Sequence, residues 1–396
     1  MIRGLIGIMA ILAIAFLLSK DKKNIKLRPI IVGLAMLIGF AAFVMKTTIG
    51  VTGLTAASNG IQHFMDYSKG GIEFVFGDLA TGNFVFFFHA LMVIVFVSSL
   101  VSLLYYFGIM QRVVNALGTV ISKAMGVSKL EGVNAVGCVA LGASEAPILI
   151  KPYLTKLSNA ELFTIMTSAL ASVAGSILIG YAALGIDLKY LLTAAVMAIP
   201  AALLIAKIIM PSTEKSEVQD IALVKDKESA NMFDAMARGA QEGIQIVVSV
   251  AAMLMAFIAI VAFANGIIGG IGSLFGVQGL SLELILGYVF APLAWLIGVP
   301  AADVMQAASF IGQKTVLNEF VAFGSLVDAT MSPKATMIVT FALCGFANFS
   351  VIAILLGSIG ALAPSIRPRV AKLGLLALAG GLLANLLSAA VAGMMF

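Results

Sequence analysis

The sequence predicts an all-α polytopic membrane protein, with about eight transmembrane helices and two opposed re-entrant hairpins arranged as an inverted repeat. Three observations lead there. Apolar residues make up 61% of the 396 and charged residues only 11%, whereas a soluble domain carries about 25% charged residues. The apolar residues run in unbroken blocks of roughly 15–25 rather than alternating at period 2, which selects helices over a β-barrel. Backbone polar groups in lipid must be satisfied within their own segment, and a helix does this. Finally, two shorter apolar regions, each interrupted by Gly and Pro, occupy corresponding places in the two halves of the chain.

The first block, 2–18, ends in Ser19-Lys20-Asp21-Lys22-Lys23. No small-residue cleavage motif precedes that basic cluster, so the block reads as a retained first helix. Blocks at 29–45 and 84–110 follow, separated by a connection at 46–83 that carries Asp66, Glu73 and Asp78. The region 132–153 has Gly142-Ala143-Ser144-Glu145-Ala146-Pro147 at its middle. Its apolar arms are too short to span, and Gly and Pro let the chain reverse at the tip, which predicts the first hairpin. A broken block at 160–184 and a continuous one at 189–210 complete the first half. A polar, mixed-charge stretch with Glu214, Lys215, Glu217, Asp220, Lys225 and Asp226 separates the halves. The second half offers a long block at 243–270 and a second interrupted region at 282–308 around Gly298-Val299-Pro300. A broken segment at 310–360 and a last block at 369–395 follow. The units read as 1–128, N-terminal scaffold helices; 129–210, first hairpin and broken helix; 211–242, polar loop and amphipathic segment; 243–279, long scaffold helix; and 280–396, second hairpin, broken helix and final helix.

Short basic connections orient this plan. Lys20, Lys22, Lys23, Lys26 and Arg28 put the first connection in the cytoplasm and the N-terminus outside. Arg112, Lys123 and Lys129 return the chain to the cytoplasm before the first hairpin, and Arg367, Arg369 and Lys372 fall inside again, leaving the C-terminus outside. The two hairpins then enter from opposite faces. Inverted repeats with interrupted helices in matching places point to a substrate site near the bilayer midplane.

Several function classes are excluded. The net charge of +5 comes from short connections rather than a basic patch, so no nucleic-acid partner is expected. Cys138 and Cys344 lie in apolar stretches and read as small buried hydrophobes. His63 and His89 have no partner at ligand spacing, so no metal or cofactor is expected. The chain contains no HExxH, no GxSxG and no paired histidines, so an enzyme is not expected.

Two carboxylates stand out at membrane depth: Glu145 at the first hairpin tip and Glu319 in Lys314-Thr315-Val316-Leu317-Asn318-Glu319-Phe320. An ionisable group there costs about 2.5–3.5 kcal/mol on insertion scales and persists where it faces a polar cavity or a partner. Capping of a half-helix is the alternative role. Asn348 in Gly345-Phe346-Ala347-Asn348-Phe349-Ser350, and Ser172 with Ser176 in the first broken segment, allow local unwinding or close packing.

Gly142-Ala143-Ser144-Glu145-Ala146-Pro147, Leu317-Asn318-Glu319-Phe320-Val321-Ala322 and Gly345-Phe346-Ala347-Asn348-Phe349-Ser350, in that order, resemble the concentrative nucleoside transporter family along essentially the whole chain. The resemblance implies a bacterial plasma-membrane homotrimer that imports nucleosides by cation symport, with a hairpin-bearing domain moving like an elevator against a scaffold. It also implies that Ala143, Ser144 and Glu145 contact the nucleobase, that Glu319 and Asn348 hold the ribose hydroxyls with Ser350 beside them, and that Phe346 and Ile177 line the pocket. The carbonyls of Leu141 and Val173 with the Ser172 hydroxyl form the implied cation site. Three departures from the family pattern bear on selectivity. Ala143 stands where a glutamine is common, Cys138 where sodium-coupled members have asparagine, and Val351 where a serine is common. A soft sulfur in place of an amide oxygen favours the proton over sodium as coupling ion. A transporter of another small polar solute, such as a nucleobase, and a transport-inactive sensor are the competing readings.

Overall fold

The computed structural model describes residues 2–82, 85–213, 216, 218, 229–276 and 278–396. The linker charges Glu214, Lys215, Glu217, Asp220, Lys225 and Asp226 lie outside the described residues. All regular structure within them is helical, and six helical runs are long and apolar enough to cross a bilayer: 27–46, 87–106, 159–183, 188–209, 232–274 and 364–395.

Helices α1 (Ile2–Leu17) and α2 (Leu27–Lys46) lead the chain. The connection expected at 46–83 is instead a 29-residue helix, α3 (Thr48–Phe76), started by Thr47, whose side chain accepts from the Gly50 amide at 3.0 Å. Its charges, Asp66, Lys69 and Glu73, disguise it as a loop, yet it contains no proline and a continuous helical register. Next come α4 (Asp78–Thr81) and α5 (Val93–Tyr106), the latter entered through a π-helical turn at Phe87–Leu91. A further amphipathic helix, α6 (Ile109–Met125), also occupies what reads as a connection.

The first hairpin is α7 (Lys129–Ala140), a turn at 141–145, and the short α8 (Ala146–Leu149). A broken helix follows as α9 (Asn159–Ala171) and α10 (Gly175–Ala183), then α11 (Leu188–Ile209). The second half opens with α12 (Met232–Leu274), 43 residues or about 65 Å long, which absorbs both the amphipathic segment and the long helix expected separately. It continues through α13 (Leu282–Leu296), α14 (Val304–Val316), α15 (Glu319–Val327), α16 (Pro333–Leu343), α17 (Phe349–Leu362) and α18 (Arg367–Met395).

Packing reveals the repeat. α6 lies on α7 as α13 lies on α14; α7 meets α9 as α14 meets α16; α9 packs on α11 as α16 packs on α18. The counterpart of the α7–α8 hairpin is therefore α14–α15, with its turn at Leu317-Asn318. It is not the expected 282–308 region, where Gly298-Val299-Pro300 merely joins α13 to α14. The broken helix is α16–α17, at 333–362 rather than 310–360. Glu319 accordingly sits at a hairpin tip, the position matching Glu145.

The final helix shows that the two broken helices run in opposite directions, as an inverted repeat requires. At its start, Arg369 donates to Asn159 Oδ1 at 2.8 Å and the Leu157 carbonyl at 2.6 Å, beside the beginning of α9. At its end, Phe396 lies under Lys334, beside the beginning of α16. In between, Asn385 bonds to both Ala171 and Cys344, where α9 and α16 finish. The two helices start at opposite ends of α18 and meet head to head about 24 Å and 17 Å from those ends.

Candidate functional site

Each broken helix is interrupted for a local reason. After Ala171 the chain becomes extended, with Ser172 at φ −105°, ψ 168° and Ala174 at φ −63°, ψ 144°. After Leu343, Asn348 takes extended geometry and caps α17, its Oδ1 accepting from the Val351 amide at 3.1 Å and the Ser350 hydroxyl at 2.6 Å. The two breaks are joined: the Phe346 amide donates to the Ser172 carbonyl at 3.2 Å. Asn385 Nδ2 donates to Ala171 O at 2.7 Å and Cys344 O at 3.2 Å. Gly345 lies against Asn385 so closely that a Cβ would overlap its amide and the Ala171 carbonyl.

The hairpin tips reach the same level. Gly142 adopts φ +134°, a conformation side chains other than glycine's rarely take, and the Glu145 carboxylate folds back over it. In the second tip, Asn318 Oδ1 accepts from the Val321 amide at 3.0 Å, starting α15 so that Glu319 is its first residue. A carboxylate there is favoured by the positive helix end. Glu319 Oε1 accepts from the Tyr181 hydroxyl at 3.1 Å, and Oε2 accepts from Asn348 Nδ2 at 3.0 Å. The side chain is buried and oriented, with lone pairs left on both oxygens.

Tips and breaks enclose a cavity of about 420 Å³, the size of a small-molecule site. Of the residues expected from sequence, Leu141, Ala143, Ser144, Glu145, Ile177, Glu319, Phe346, Asn348 and Ser350 line it. Ser172 and Val173 do not; both are buried behind it. The Ser172 hydroxyl donates to Ser168 O at 2.7 Å, and Cys138 Sγ accepts from Asn134 Nδ2 at 3.4 Å.

Sequence reasoning missed three contributors. Tyr181 orients Glu319 from α10, four residues after Ile177 and so on the same helix face. Asn318 lines the cavity with an Nδ2 that has no protein partner. One wall comes from α12 through Glu242, Gln245 and Ser249, whose spacing of three and four puts them on one face of the helix where it passes into its apolar stretch, a readable signal.

Comparison with known proteins agrees with this geometry. Family descriptions match in order along the chain: "Na+ dependent nucleoside transporter N-terminus" over residues 6–79, "Nucleoside recognition" over 87–187, and "Na+ dependent nucleoside transporter C-terminus" over 190–393. The chain is 50% identical to the transporter YutK of Bacillus subtilis, covering 99% of this chain and 98% of that one. It is 38% identical to the nucleoside permease NupC of Helicobacter pylori, covering 99% and 97%. Among solved structures, CNTnw in an inward-facing substrate-bound state superposes with a TM-score of 0.94 at 41% identity, covering 100% of this chain and 97% of that one. A variant of CNTnw in an outward-facing state gives 0.95 at 40% identity, covering 100% and 97%. With its repeat, its paired hairpin carboxylates and these relatives, the chain is a multi-pass membrane protein of the concentrative nucleoside transporter family.

Proposed function

We propose that this protein imports nucleosides across the bacterial plasma membrane by cation symport. The observation that carries the reading is Glu319, held by Tyr181 and Asn348 with spare lone pairs facing the cavity. A ribose presents vicinal hydroxyls, and an oriented carboxylate accepts from both. Ser350 hydrogen-bonds to Asn348 and completes the sugar end of the site. Ala143, Ser144 and Glu145 face the base from the opposite tip, with Ile177 and Phe346 as apolar walls. Substrates lacking the hydroxyls leave a buried charge unmatched, which is how such a site rejects them.

Alternating access proceeds by movement of the two hairpins and broken helices as one body against α5 and α12. The internal bonds that tie the breaks together support that division. Most of α12 is uncovered and apolar, including Met255, Ile258, Phe263 and Ile267, as expected of a helix at the centre of a homotrimer or against lipid. Both chain ends lie outside the cytoplasm, following the basic connections.

The proton is the favoured coupling ion. Cys138 supplies sulfur rather than an amide oxygen, the Ser172 carbonyl accepts from Phe346, and the Ser172 proton is given to Ser168. A hard cation would need several free oxygens there. A proton needs only a carboxylate, and Glu145 and Glu319 qualify. Sodium is the second reading, because the matching family descriptions name it; its ligands would be Leu141, Ser172 and Val173. Uptake in sodium and in choline buffers, each with and without an inward proton gradient, separates the two. Proton coupling requires uptake that follows the gradient in choline; saturation with sodium and indifference to a protonophore overturns it.

A further inference from the structure

Lys314 stands five residues before Glu319 in the second hairpin and has no part in the substrate contacts above. It is 0% exposed. A buried ammonium is strongly unfavourable unless its donors meet acceptors and its charge is balanced. Nζ donates to Ala342 O and Asn385 Oδ1, each at 2.7 Å. Among the described residues, no carboxylate forms an ion pair with it.

Two helix ends face the ammonium, and the Glu319 carboxylate acts on it through space without forming an ion pair. α9, of 13 residues, and α16, of 11, finish head to head at this point. Ala171 O and Cys344 O both accept from Asn385 Nδ2, which fixes that amide so that its oxygen faces Lys314. The C-terminal end of a helix carries about −0.5 elementary charge, so two converging ends present about −1, which one ammonium cancels. The last carbonyls of both helices also need donors from outside the helix. The other half-helices point the opposite way. The N-terminal ends of α10, α15 and α17 face the cavity, where Glu145 and Glu319 complement them.

We propose that Lys314 is a resident counter-cation. It pins the converging ends of α9 and α16 and thereby positions the two breaks that wall the substrate cavity. Because it is part of hairpin α14–α15, it stays with the site through every transport cycle, and the second repeat requires no exchangeable cation of its own. The effect on substrate rests on the nucleoside-transport reading; the charge role does not.

The experiment compares Lys314→Met, Lys314→His and the parent protein, purified in detergent. Thermal stability is measured at about pH 5.5 and about pH 8, either side of histidine's ordinary titration. The titratable groups facing the position are Glu319 and Cys344, present in all three proteins. If the charge is what matters, Lys314→Met is destabilised at both pH values, while Lys314→His recovers toward the parent at the lower one. Nucleoside uptake at the lower pH should show KM raised about tenfold or more in Lys314→Met, with partial recovery in Lys314→His. Parent-like stability in Lys314→Met, or equal loss in both variants at both pH values, overturns the counter-cation role. A parent protein that transports no nucleoside would refute the transport reading alone, because the stability comparison needs no substrate.

Discussion

Replacing Glu319 by Gln keeps its size and removes one acceptor oxygen and the charge. In the structure, both oxygens already accept from protein donors: Tyr181 at 3.1 Å and Asn348 at 3.0 Å. An amide can present its oxygen to only one of them. Its oxygen must serve Asn348 Nδ2, which can only donate, so the Tyr181 hydroxyl has to turn and accept from the NH₂, and the same NH₂ meets a ribose hydroxyl that was accepted before. Loss of a hydrogen bond to a charged group costs about 1.5–3 kcal/mol, or roughly 10- to 150-fold in affinity. Equilibrium binding of a ribonucleoside to Glu319→Gln, with folding checked by thermal unfolding, should therefore show a Kd raised by that factor. A deoxyribonucleoside, which lacks one hydroxyl, should lose less. Unchanged ribonucleoside affinity in folded mutant protein would remove Glu319 from the site, and an equal loss for both substrates would place its role away from the sugar.

Tyr181→Phe removes a neutral donor from the same carboxylate and leaves the cavity shape unchanged; ribonucleoside KM should rise by roughly 2- to 10-fold, about 0.5–1.5 kcal/mol, measured by initial uptake rates. Ala143→Gln adds an amide at the first tip and should shift a competition panel toward uridine and cytidine. The parent should accept purine nucleosides at least as well, and strong preference of the parent for uridine over inosine and adenosine contradicts this. Gly345→Ala should lower thermal stability by about 1–3 kcal/mol, because its methyl must displace Asn385 or the Ala171 carbonyl.

Composition and block length were enough to read the membrane class, the first broken helix and the carboxylates Glu145 and Glu319, because lipid leaves helices as the spanning choice and makes buried carboxylates conspicuous. Ala143, Ser144, Ile177, Phe346 and Ser350 came from the family resemblance of the three motifs. The second hairpin was harder. Gly298-Val299-Pro300 is strong punctuation but joins two separate helices, whereas the true turn at Leu317-Asn318 contains neither Gly nor Pro. Its one local signal is Asn318, a helix-starting residue directly before Glu319. Overlooking α6 hid the counterpart of α13 and so concealed the offset. Tyr181, Asn385 and Lys314 act through contacts between residues 28 to 214 positions apart, which no local pattern encodes. The α12 wall was legible in Glu242, Gln245 and Ser249 but was masked by the helix's apolar length.

Accumulation of labelled inosine or uridine by purified protein in proteoliposomes tests the central claim most directly. With an inward proton gradient and no sodium, the internal concentration should exceed the external one and collapse on adding a protonophore. Equilibration to equal concentrations under every imposed ion gradient would contradict coupled import, and no entry of any nucleoside would contradict transport itself.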